Sequence, residues 1–570
     1  MVKNINRIIS KGILYKMIFP LLMGIIGTIV TIFIPFGLKL VVDGFIQKKS
    51  VSVVALFILA MLFLVRLFCQ ILSAYFFQKI GVSLVYDLRK ILIDRFLYLK
   101  KRFFKTTNSA EIASILTNDT ALVYALISQN IPQIISNLIL LIGIGVVLVV
   151  FNFKLTLVLL CMIPLFMLLY IPLGKIISNN SKVMQETLAD LNGFGYFISK
   201  FSNLIKVSLA ENFEKDKGYR LNKRLNEVGV SQAKVFSIIA PIVASISLVG
   251  VVAVILIGLY DVSRGSMTVG SLVAYLTLVM QFIEPLSGIG AEFSQMNVAL
   301  GGIERILQII DLENSEIENS EFGLIDIPFD SLCFDDVGFH YKDSQFQLEN
   351  LKFKITRGES LVIVGPSGSG KTTLLSLIPR LYDFTEGDIL IDGTSIKDIK
   401  LSYLRQNIGF LEQDYSLITG TIKDNLLYGL DKSRISDENL EQALKKSSLD
   451  LMEKNASIKL DTFVGENGNL LSNGQRQRIA LARILLLDPE MLILDEFTSA
   501  LDAESEFNVL DSINELESKI ILIVAHRLTT IRKADKIIFL ENGEITGFGD
   551  HESLLKTHRE YANYINKEFK

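Results

Sequence analysis

Gly365-Pro366-Ser367-Gly368-Ser369-Gly370-Lys371-Thr372 is the stretch that decides the fold of the second half of the chain. It fits the phosphate-binding pattern G-x-x-x-x-G-K-[ST] at every fixed position. Ser360 to Val364 is a short apolar run typical of a buried strand, and Thr373 to Ile378 favours a helix that ends before Pro379. In such a strand, loop and helix, the backbone N–H groups and the positive end of the helix point at one place. The stretch therefore predicts a site for phosphate groups.

Two residues of this loop have expected roles of their own. Lys371 is expected to reach the β- and γ-phosphates of a nucleotide, and Thr372 is expected to bind Mg²⁺. We predict that the eight residues of the loop and the next one, Thr373, bind ATP. The alternative is a Gly/Ser-rich linker that matches by accident, and the strand and helix patterns on either side argue against it.

Two carboxylates follow another apolar run further along the chain. Met491 to Leu494 is typical of a buried strand, and Asp495 and Glu496 come directly after it. At the carboxyl end of a strand, Asp495 is expected to hold Mg²⁺ through water, and Glu496 to polarise the water that attacks the γ-phosphate. Together with the phosphate loop, this pair predicts an ATPase.

The composition indicates that much of the chain is a membrane domain. Hydrophobic residues make up 50% of the 570 residues, mean hydropathy is +0.42, and the N-terminal half contains long apolar stretches. A soluble core would not need such stretches. The net charge is only −3 and no dense basic stripe is present, which argues against nucleic acid as a partner. The three cysteines lie far apart and favour neither a disulfide framework nor a metal site.

Six segments are long enough to cross a hydrocarbon core, which needs about 20 helical residues. They are residues 15–43, 51–77, 128–151, 155–177, 235–260 and 267–293. The second and fourth connections between them are long and rich in Lys and Arg, so the positive-inside rule predicts that both connections and both termini face the cytoplasm. No cleavable signal peptide is evident. We therefore expect a multi-pass protein of the cell membrane whose ATP-binding part is cytoplasmic.

The pattern predicts three parts. Residues 1–311 are expected to form a membrane all-α domain of six helices with two long cytoplasmic connections, 312–326 a linker, and 327–570 an α/β P-loop nucleotide-binding domain in which strands and helices alternate as in a parallel sheet. Arg66 and Glu284 are ionisable residues at membrane depth and thus candidates for function. The alternatives are a buried structural pair or positions beside a water-filled cavity.

Further short motifs, in the same order along the chain, identify it as a member of the ATP-binding cassette family, in its exporter branch. The resemblance covers essentially the whole chain. It rests on Phe339-His340-Tyr341, Leu411-Glu412-Gln413-Asp414, Val464-Gly465-Glu466-Asn467-Gly468, Leu471-Ser472-Asn473-Gly474-Gln475, Ser499-Ala500-Leu501-Asp502 and Ala525-His526-Arg527-Leu528.

The resemblance implies a role for each of these motifs. Tyr341 would stack on adenine, Gln413 would sense Mg²⁺ and touch the loops of the membrane domain, and His526 would contact the γ-phosphate. A tyrosine offers a flat apolar face for a base. His526 follows the apolar run Lys519 to Val524 and should emerge at a strand end, where a parallel sheet presents its ligands. The remaining nucleotide-binding residues that the resemblance implies are Ser472, Asn473, Gly474, Gln475 and Asp502.

One residue departs from the family pattern, which is usually L-S-G-G-Q. Asn473 stands at its third position, while Ser472 and Gly474 are retained. Asparagine is the residue that best tolerates a glycine-like backbone, so we expect a working site. The departure bears on the geometry of that site, and hence on its rate or affinity.

The resemblance also implies a mechanism. The chain holds one phosphate loop and one signature, whereas in this family the two close over one nucleotide from different cassettes, so it is expected to be a half-transporter that works as a dimer. Glu496 and His526 are both present, which favours a homodimer over a heterodimer. ATP would close the cassettes and exchange an inward-open cavity for an outward-open one.

The membrane helices carry few charges, which favours hydrophobic or amphipathic substrates that bind by area and shape. Alternatives are a dedicated peptide or lipid exporter, or a regulator or channel that is driven by the same kind of ATPase. An importer is less favoured, because importers of this family typically keep the two kinds of domain on separate chains.

Overall fold

The computed structural model describes residues 11–48, 52–312, 323–341, 346–430, 435–449, 459–497, 503–514, 516 and 518–568. The chain forms two compact units, Met1–Ile93 with Ile112–Asp311 and Asp94–Glu111 with Leu312–Lys570. The second unit thus includes residues 94–111, which lie on the first long polar connection of the sequence. The domain boundaries near residues 311 and 327 stay a prediction.

The N-terminal part of the chain is helical. Two five-residue π turns, Ile115–Asp119 and Leu126–Asn130, interrupt its third long helical stretch. Helices α1 to α10 are Lys11–Lys48, Val53–Leu97, Lys101–Thr106, Ser109–Ser114, Thr120–Ala125, Ile131–Phe151, Phe153–Lys200, Ser202–Val207, Glu211–Ser263 and Val269–Ile310.

Several of these helices are suited to a membrane. Within the described residues, five are long and apolar enough to cross one: Gly12–Ile46, Val53–Leu97, Ser109–Phe151, Ala244–Ser263 and Val269–Ile310. The predicted span 155–177 falls in α7, where most side chains from 161 to 178 lie outside the described residues. Helix α9 has 53 residues. At about 1.5 Å per residue it measures roughly 80 Å, so it extends well beyond a hydrocarbon core of about 30 Å.

The first unit is held together by close helix packing and a few polar contacts. A Cβ on Gly143 would lie 2.4 Å from the Ile32 Cδ1, and one on Gly258 would lie 2.2 Å from the Leu272 Cδ1, so side chains of neighbouring helices pack closely over both glycines. The buried core of this unit contains Ile32, Ile144, Leu148, Leu155, Val254, Tyr275, Leu278 and Val279.

Charged and amide side chains of the first unit pair across helices. Arg305 donates to both carboxylate oxygens of the buried Asp119, at 2.8 and 2.5 Å. Asn137 donates to Glu292 at 2.9 Å. Of the two charges that the sequence singled out, Arg66 is half-buried and Glu284 is exposed within one chain.

The second unit contains two sheets. A four-stranded sheet has the order β2-β1-β4-β5 and a six-stranded sheet the order β10-β9-β3-β8-β7-β6. Strands β1 to β10 are Ser331–His340, Gln347–Thr356, Ser360–Val364, Glu386–Ile391, Thr394–Ser395, Ile408–Leu411, Met491–Asp495, Ile520–Val524, Lys536–Glu541 and Glu544–Gly549. Helices α11 to α19 are Lys371–Leu377, Leu401–Gln406, Ile422–Leu426, Asp437–Lys446, Asn473–Leu486, Ala503–Asn514, Leu528–Lys533, His551–Thr557 and Arg559–Glu568.

The four-stranded sheet differs from the parallel arrangement expected throughout this part of the chain. Its pairs β1–β2 and β1–β4 are antiparallel. Residues 341–346 alone connect β1 to β2, and so short a connection permits a hairpin but not the crossover that parallel strands need. The pairs β3–β8, β3–β9, β6–β7 and β7–β8 are parallel, as the alternation of strands and helices predicts, whereas β1, β2, β4 and β5 and the pair β9–β10 are antiparallel.

The parallel part of the larger sheet positions the site. Strands β3, β7 and β8 are buried along almost their whole length, as expected for strands covered on both faces. Their register pairs Asp495 with Val524, and Ile363 with Val524. The three strands therefore end side by side, and the segments that follow them meet at one edge of the sheet.

Candidate functional site

The phosphate loop lies between β3 and α11. Gly370, directly before the helix, has a φ of +105°, and a Cβ there would lie 2.6 Å from Leu348 and 2.7 Å from Phe346. A Cβ on Gly365 would lie 2.1 Å from the Leu540 carbonyl oxygen. Backbone conformation and space thus both require glycine in the loop, as the sequence pattern predicts.

Lys371 is buried inside this loop. Its ammonium donates to the carbonyl oxygens of Gly365 at 2.8 Å and Pro366 at 3.0 Å. Burial lowers the pKa of Lys371, and the nearby carboxylates of Glu496 and Asp495 act in the opposite direction. The lysine is therefore a cation in a confined position at the edge of the sheet where the carboxylates lie.

Asp495 is the last residue of β7 and is fully buried. Among the described residues, neither carboxylate oxygen has a hydrogen bond of good geometry, although the Thr372 hydroxyl is near enough to lower the pKa of Asp495. Burial, the largest influence, and the charge of Glu496 raise that pKa. A buried carboxylate without a partner is costly unless a cation or donor satisfies it. This donor set, a carboxylate beside a hydroxyl, fits Mg²⁺.

Glu496 contacts Gln413 and His526, the residues expected to sense Mg²⁺ and to contact the γ-phosphate and, with Glu496, to carry out hydrolysis. Its Oε2 accepts a hydrogen bond from Gln413 Nε2 at 2.9 Å, and its Oε1 lies 2.9 Å from His526 Nε2. Glu496 has a φ of +50°, which is uncommon for a residue other than glycine and typical of functional sites when it occurs. Glu496, Gln413 and His526 thus form one cluster, which we call the carboxylate cluster.

Tyr341 lies in an aromatic group beside the phosphate-loop helix. Its hydroxyl is 3.2 Å from the Thr373 hydroxyl, and its ring packs edge-on against Phe339 and Tyr382, with centroids 4.8 and 5.6 Å apart. The Lys105 ammonium lies 4.8 Å from the Tyr341 ring centroid. Lys105 belongs to the second connection, which the sequence shows only to be rich in Lys and Arg, and nothing in its local pattern indicates so distant a partner.

The signature residues begin α15. Ser472 caps the helix: its hydroxyl accepts from the Gln475 N–H at 3.3 Å, and Gln475 Oε1 accepts from the Ser472 N–H at 2.7 Å. Asn473 is the first residue of the helix and accepts a hydrogen bond from Arg476. Its backbone is therefore right-handed, and the tolerance of asparagine for a glycine-like backbone is not the reason that it fits.

Other predicted residues are not brought together with the phosphate loop. Among the described residues, no hydrogen bond joins Ser472, Asn473, Gly474 or Gln475 to that loop. Glu466 begins a short 3₁₀ turn and is exposed. Asp502, with the rest of its motif, lies outside the described residues.

Sequence analysis missed contacts made around Gln413. Lys101 of α3 pairs with Glu412 at 2.6 Å, and Lys100 pairs with Asp383 at 2.5 Å. Tyr415 donates a hydrogen bond to the Glu496 carbonyl oxygen at 3.1 Å. These partners are distant in sequence, and the only available signal was the excess of lysine in residues 100–105.

Two protein families match this chain. The family described as ABC transporter matches residues 348–499, and the family described as ABC transporter transmembrane region matches residues 17–286. The first range contains the phosphate loop and the carboxylates, and the second contains most of the apolar helices.

Individual proteins match over nearly the whole chain. A multidrug resistance ABC transporter ATP-binding and permease protein of Lactococcus lactis is 33% identical over 552 residues, 97% of this chain and 93% of that protein. An ATP-dependent lipid A-core flippase of Desulfotalea psychrophila is 33% identical over 497 residues, 87% of this chain and 86% of that protein. The structure of a bacterial Atm1-family ABC exporter with ATP bound is similar with a TM-score of 0.81 at 25% identity, covering 98% of this chain and 99% of that one.

Proposed function

The chain belongs to the ABC transporter family and is an ATP-driven exporter, and we propose that it moves hydrophobic or amphipathic compounds as a homodimer. One chain carries both the membrane part and the ATPase part. The observation that carries our assignment of the active site is the carboxylate cluster, Glu496 with Gln413 and His526, at the edge of the sheet where the phosphate loop also begins.

We propose that Glu496 polarises the water that attacks the γ-phosphate. Its carboxylate is fixed by Gln413 on one oxygen and faces His526 on the other, so it can accept a proton from a water without first reorienting. In this proposal, Lys371 supplies a positive charge to the phosphates, and His526 donates to the γ-phosphate. Tyr341 offers its ring to adenine beside the same helix.

Mg²⁺ belongs to this proposal. Asp495, Thr372 and Gln413 would hold it. When bound, Mg²⁺ neutralises charge on the β- and γ-phosphates. The support is the buried Asp495 carboxylate, which lacks a hydrogen bond of good geometry within the described part of the chain.

The homodimer rests on the separation of the signature from the phosphate loop. Ser472 uses its oxygen as an acceptor at the cap of α15, so its O–H remains able to donate to a phosphate. Because Ser472 is exposed and the helix beyond it is well formed, the signature is presented on the surface. In our proposal a second copy closes over it, so that two copies form two composite ATP sites.

The substrate class is proposed from the membrane helices. Large apolar side chains cover much of their surface, and polar side chains pair across helices, Asn137 with Glu292 and Asn130 with Gln295, each at 2.9 Å. Such a surface binds by area and shape. The name of the Lactococcus lactis relative, a multidrug resistance transporter, agrees with this class. The lipid A-core flippase of Desulfotalea psychrophila makes a lipid the second candidate substrate.

The experiment that tests the substrate class is ATPase stimulation in proteoliposomes containing this chain alone. Lipophilic cations, peptides and lipids are compared over a concentration series. We expect several unrelated lipophilic compounds to raise turnover, each with saturation. Stimulation by lipids alone would favour the second candidate. An ATPase rate that none of the three classes of compound changes would contradict the proposed export of hydrophobic compounds. It would favour a regulator or channel driven by the same ATPase.

For orientation, we propose that both termini and the ATPase part face the cytoplasm. The support is the excess of Lys and Arg in the two long connections. Accessibility of the Glu466 loop to a membrane-impermeant label, after cysteine substitution, would show the side on which it lies.

A further inference from the structure

Tyr415 lies beside Glu496 without belonging to any of the motifs. Its hydroxyl donates to the Glu496 carbonyl oxygen at 3.1 Å. Two residues earlier, Gln413 donates to the Glu496 carboxylate at 2.9 Å. One short segment therefore contacts Glu496 at its main chain and at its side chain. We propose that Tyr415 is a positioning residue for Glu496, an inference that rests on the proposed catalytic role of that carboxylate.

The backbone of Glu496 needs such support. Its φ of +50° is unfavourable for a residue with a Cβ, so it persists only where neighbouring groups hold it. The N–H of Glu496 donates to the Val524 carbonyl at 3.2 Å, and the carbonyl of Glu496 accepts from Tyr415. The residue is thus fixed on both sides. Loss of the second bond would let the backbone turn and carry the carboxylate away from Gln413 and His526.

The Tyr415 ring is itself held in place. It is partly buried and packs against the core cluster that contains Leu411 and Phe497. Phenylalanine keeps that packing, so Tyr415→Phe removes the hydroxyl and retains the ring. The substitution separates the hydrogen bond from the contribution of the ring.

The chain offers a matched control. Tyr403 also donates its hydroxyl to a main-chain carbonyl, that of Ile327, at the same distance of 3.1 Å, but Ile327 is not part of the site. Tyr403→Phe therefore removes an equivalent bond elsewhere in the same unit. A general effect of losing one tyrosine hydroxyl would be similar in both variants.

The test compares the full-length chain with Tyr415→Phe and Tyr403→Phe in proteoliposomes. We expect Tyr415→Phe to lower kcat by about 3- to 10-fold, the range of one neutral hydrogen bond, with KM for ATP changed less than about twofold. Tyr403→Phe should leave both within about twofold. An unchanged kcat in Tyr415→Phe, or an equal loss in Tyr403→Phe, overturns the inference.

A second measurement separates positioning of Glu496 from a structural role. Single-turnover hydrolysis is measured in Glu496→Gln with and without Tyr415→Phe. If Tyr415 acts through the carboxylate, the second substitution no longer slows the residual reaction. A further loss of the same factor overturns the inference while leaving the role of Glu496 intact. Wild-type turnover in Glu496→Gln alone overturns the proposed role of Glu496, and this inference with it.

Discussion

The pKa of Lys371 depends on the burial of its ammonium inside the phosphate loop. Burial lowers its pKa, and the loop carbonyls of Gly365 and Pro366 accept its hydrogen bonds. A phosphate group beside the same ammonium would favour its charged form. We therefore expect the energy of nucleotide binding to depend on this cation.

The first prediction is that Lys371→Ala weakens ATP binding. Hydrogen bonds to charged groups contribute about 1.5 to 3 kcal/mol, so the Kd for ATP should rise by at least about tenfold. Lys352→Ala, which removes an exposed lysine paired with Asp335, is the control and should leave the Kd unchanged. Calorimetric titration with a slowly hydrolysed ATP analogue gives both values. An unaltered Kd in Lys371→Ala would contradict the assignment of Lys371 as a phosphate-binding residue.

The second prediction concerns the signature. We expect Asn473→Gly to leave ATPase activity intact or to raise it, because the family usually has glycine there and the helical backbone of Asn473 is open to either residue. The contact that is lost is the one with Arg476. Steady-state ATPase rates of the two proteins decide the matter. A loss of more than about tenfold, near 1.4 kcal/mol in barrier height, would mean that the Asn473 side chain contributes to the site.

The sequence predicts a site residue when its own strand determines where it lies. It does not predict a site residue whose partner is distant along the chain. Glu496 and His526 each stand just after an apolar run, so their strand positions fix where they lie. Tyr415 and Lys105 meet partners across the fold, and no local pattern indicates such contacts. The positive φ of Glu496 could not be predicted either, because the residues that stabilise it come from other elements.

Among the elements, helix α3 is the least expected in its surroundings. It follows a membrane helix in the chain, yet residues 94–111 belong to the compact unit of the ATPase part. Lys101 of α3 pairs with Glu412, the neighbour of Gln413, which in turn bonds to Glu496. This sequence of contacts joins α3 to the carboxylate cluster. Sequence analysis predicts a long polar connection here and gives neither this short helix nor a partner for it.

The third prediction tests that connection. Lys101→Glu places two negative charges together, and we expect it to reduce stimulation of ATPase by transported compounds. Basal turnover should change little, because the pair is only partly buried and contributes about 1 kcal/mol or less to stability. Lys101→Glu combined with Glu412→Lys should restore stimulation. Lys445→Glu is the control, because Lys445 pairs with Glu441 within helix α14, away from this contact. Failure of the exchanged pair to recover would argue against a role for this contact in coupling.

At the scale of the whole molecule, hydropathy was enough to predict a membrane part followed by an α/β part. It could not predict which faces of the membrane helices meet, because packing there depends on glycines such as Gly143 and Gly258 and on pairs such as Asp119 with Arg305. The hairpin of β1 and β2 was also missed, since apolar alternation does not distinguish parallel from antiparallel pairing.

The fourth prediction concerns the number of chains. With ATP bound and hydrolysis blocked by Glu496→Gln, we expect one species of twice the 63.8 kDa mass of a single chain. Native mass spectrometry in detergent measures this directly. Combining Lys371→Ala with Glu496→Gln should reduce the fraction of dimer that forms only when ATP is present, because nucleotide no longer joins the two copies. A monomer under all conditions would contradict the composite ATP site.

The central claim is that this chain alone uses ATP hydrolysis at Glu496 to move lipophilic compounds, and inside-out vesicles containing only this transporter test it most directly. We predict ATP-dependent uptake of a lipophilic dye in vesicles with the wild-type chain, and none above background with Glu496→Gln, although that variant still binds ATP. Equal uptake by the two proteins, or uptake that requires a second, different chain, would contradict the account.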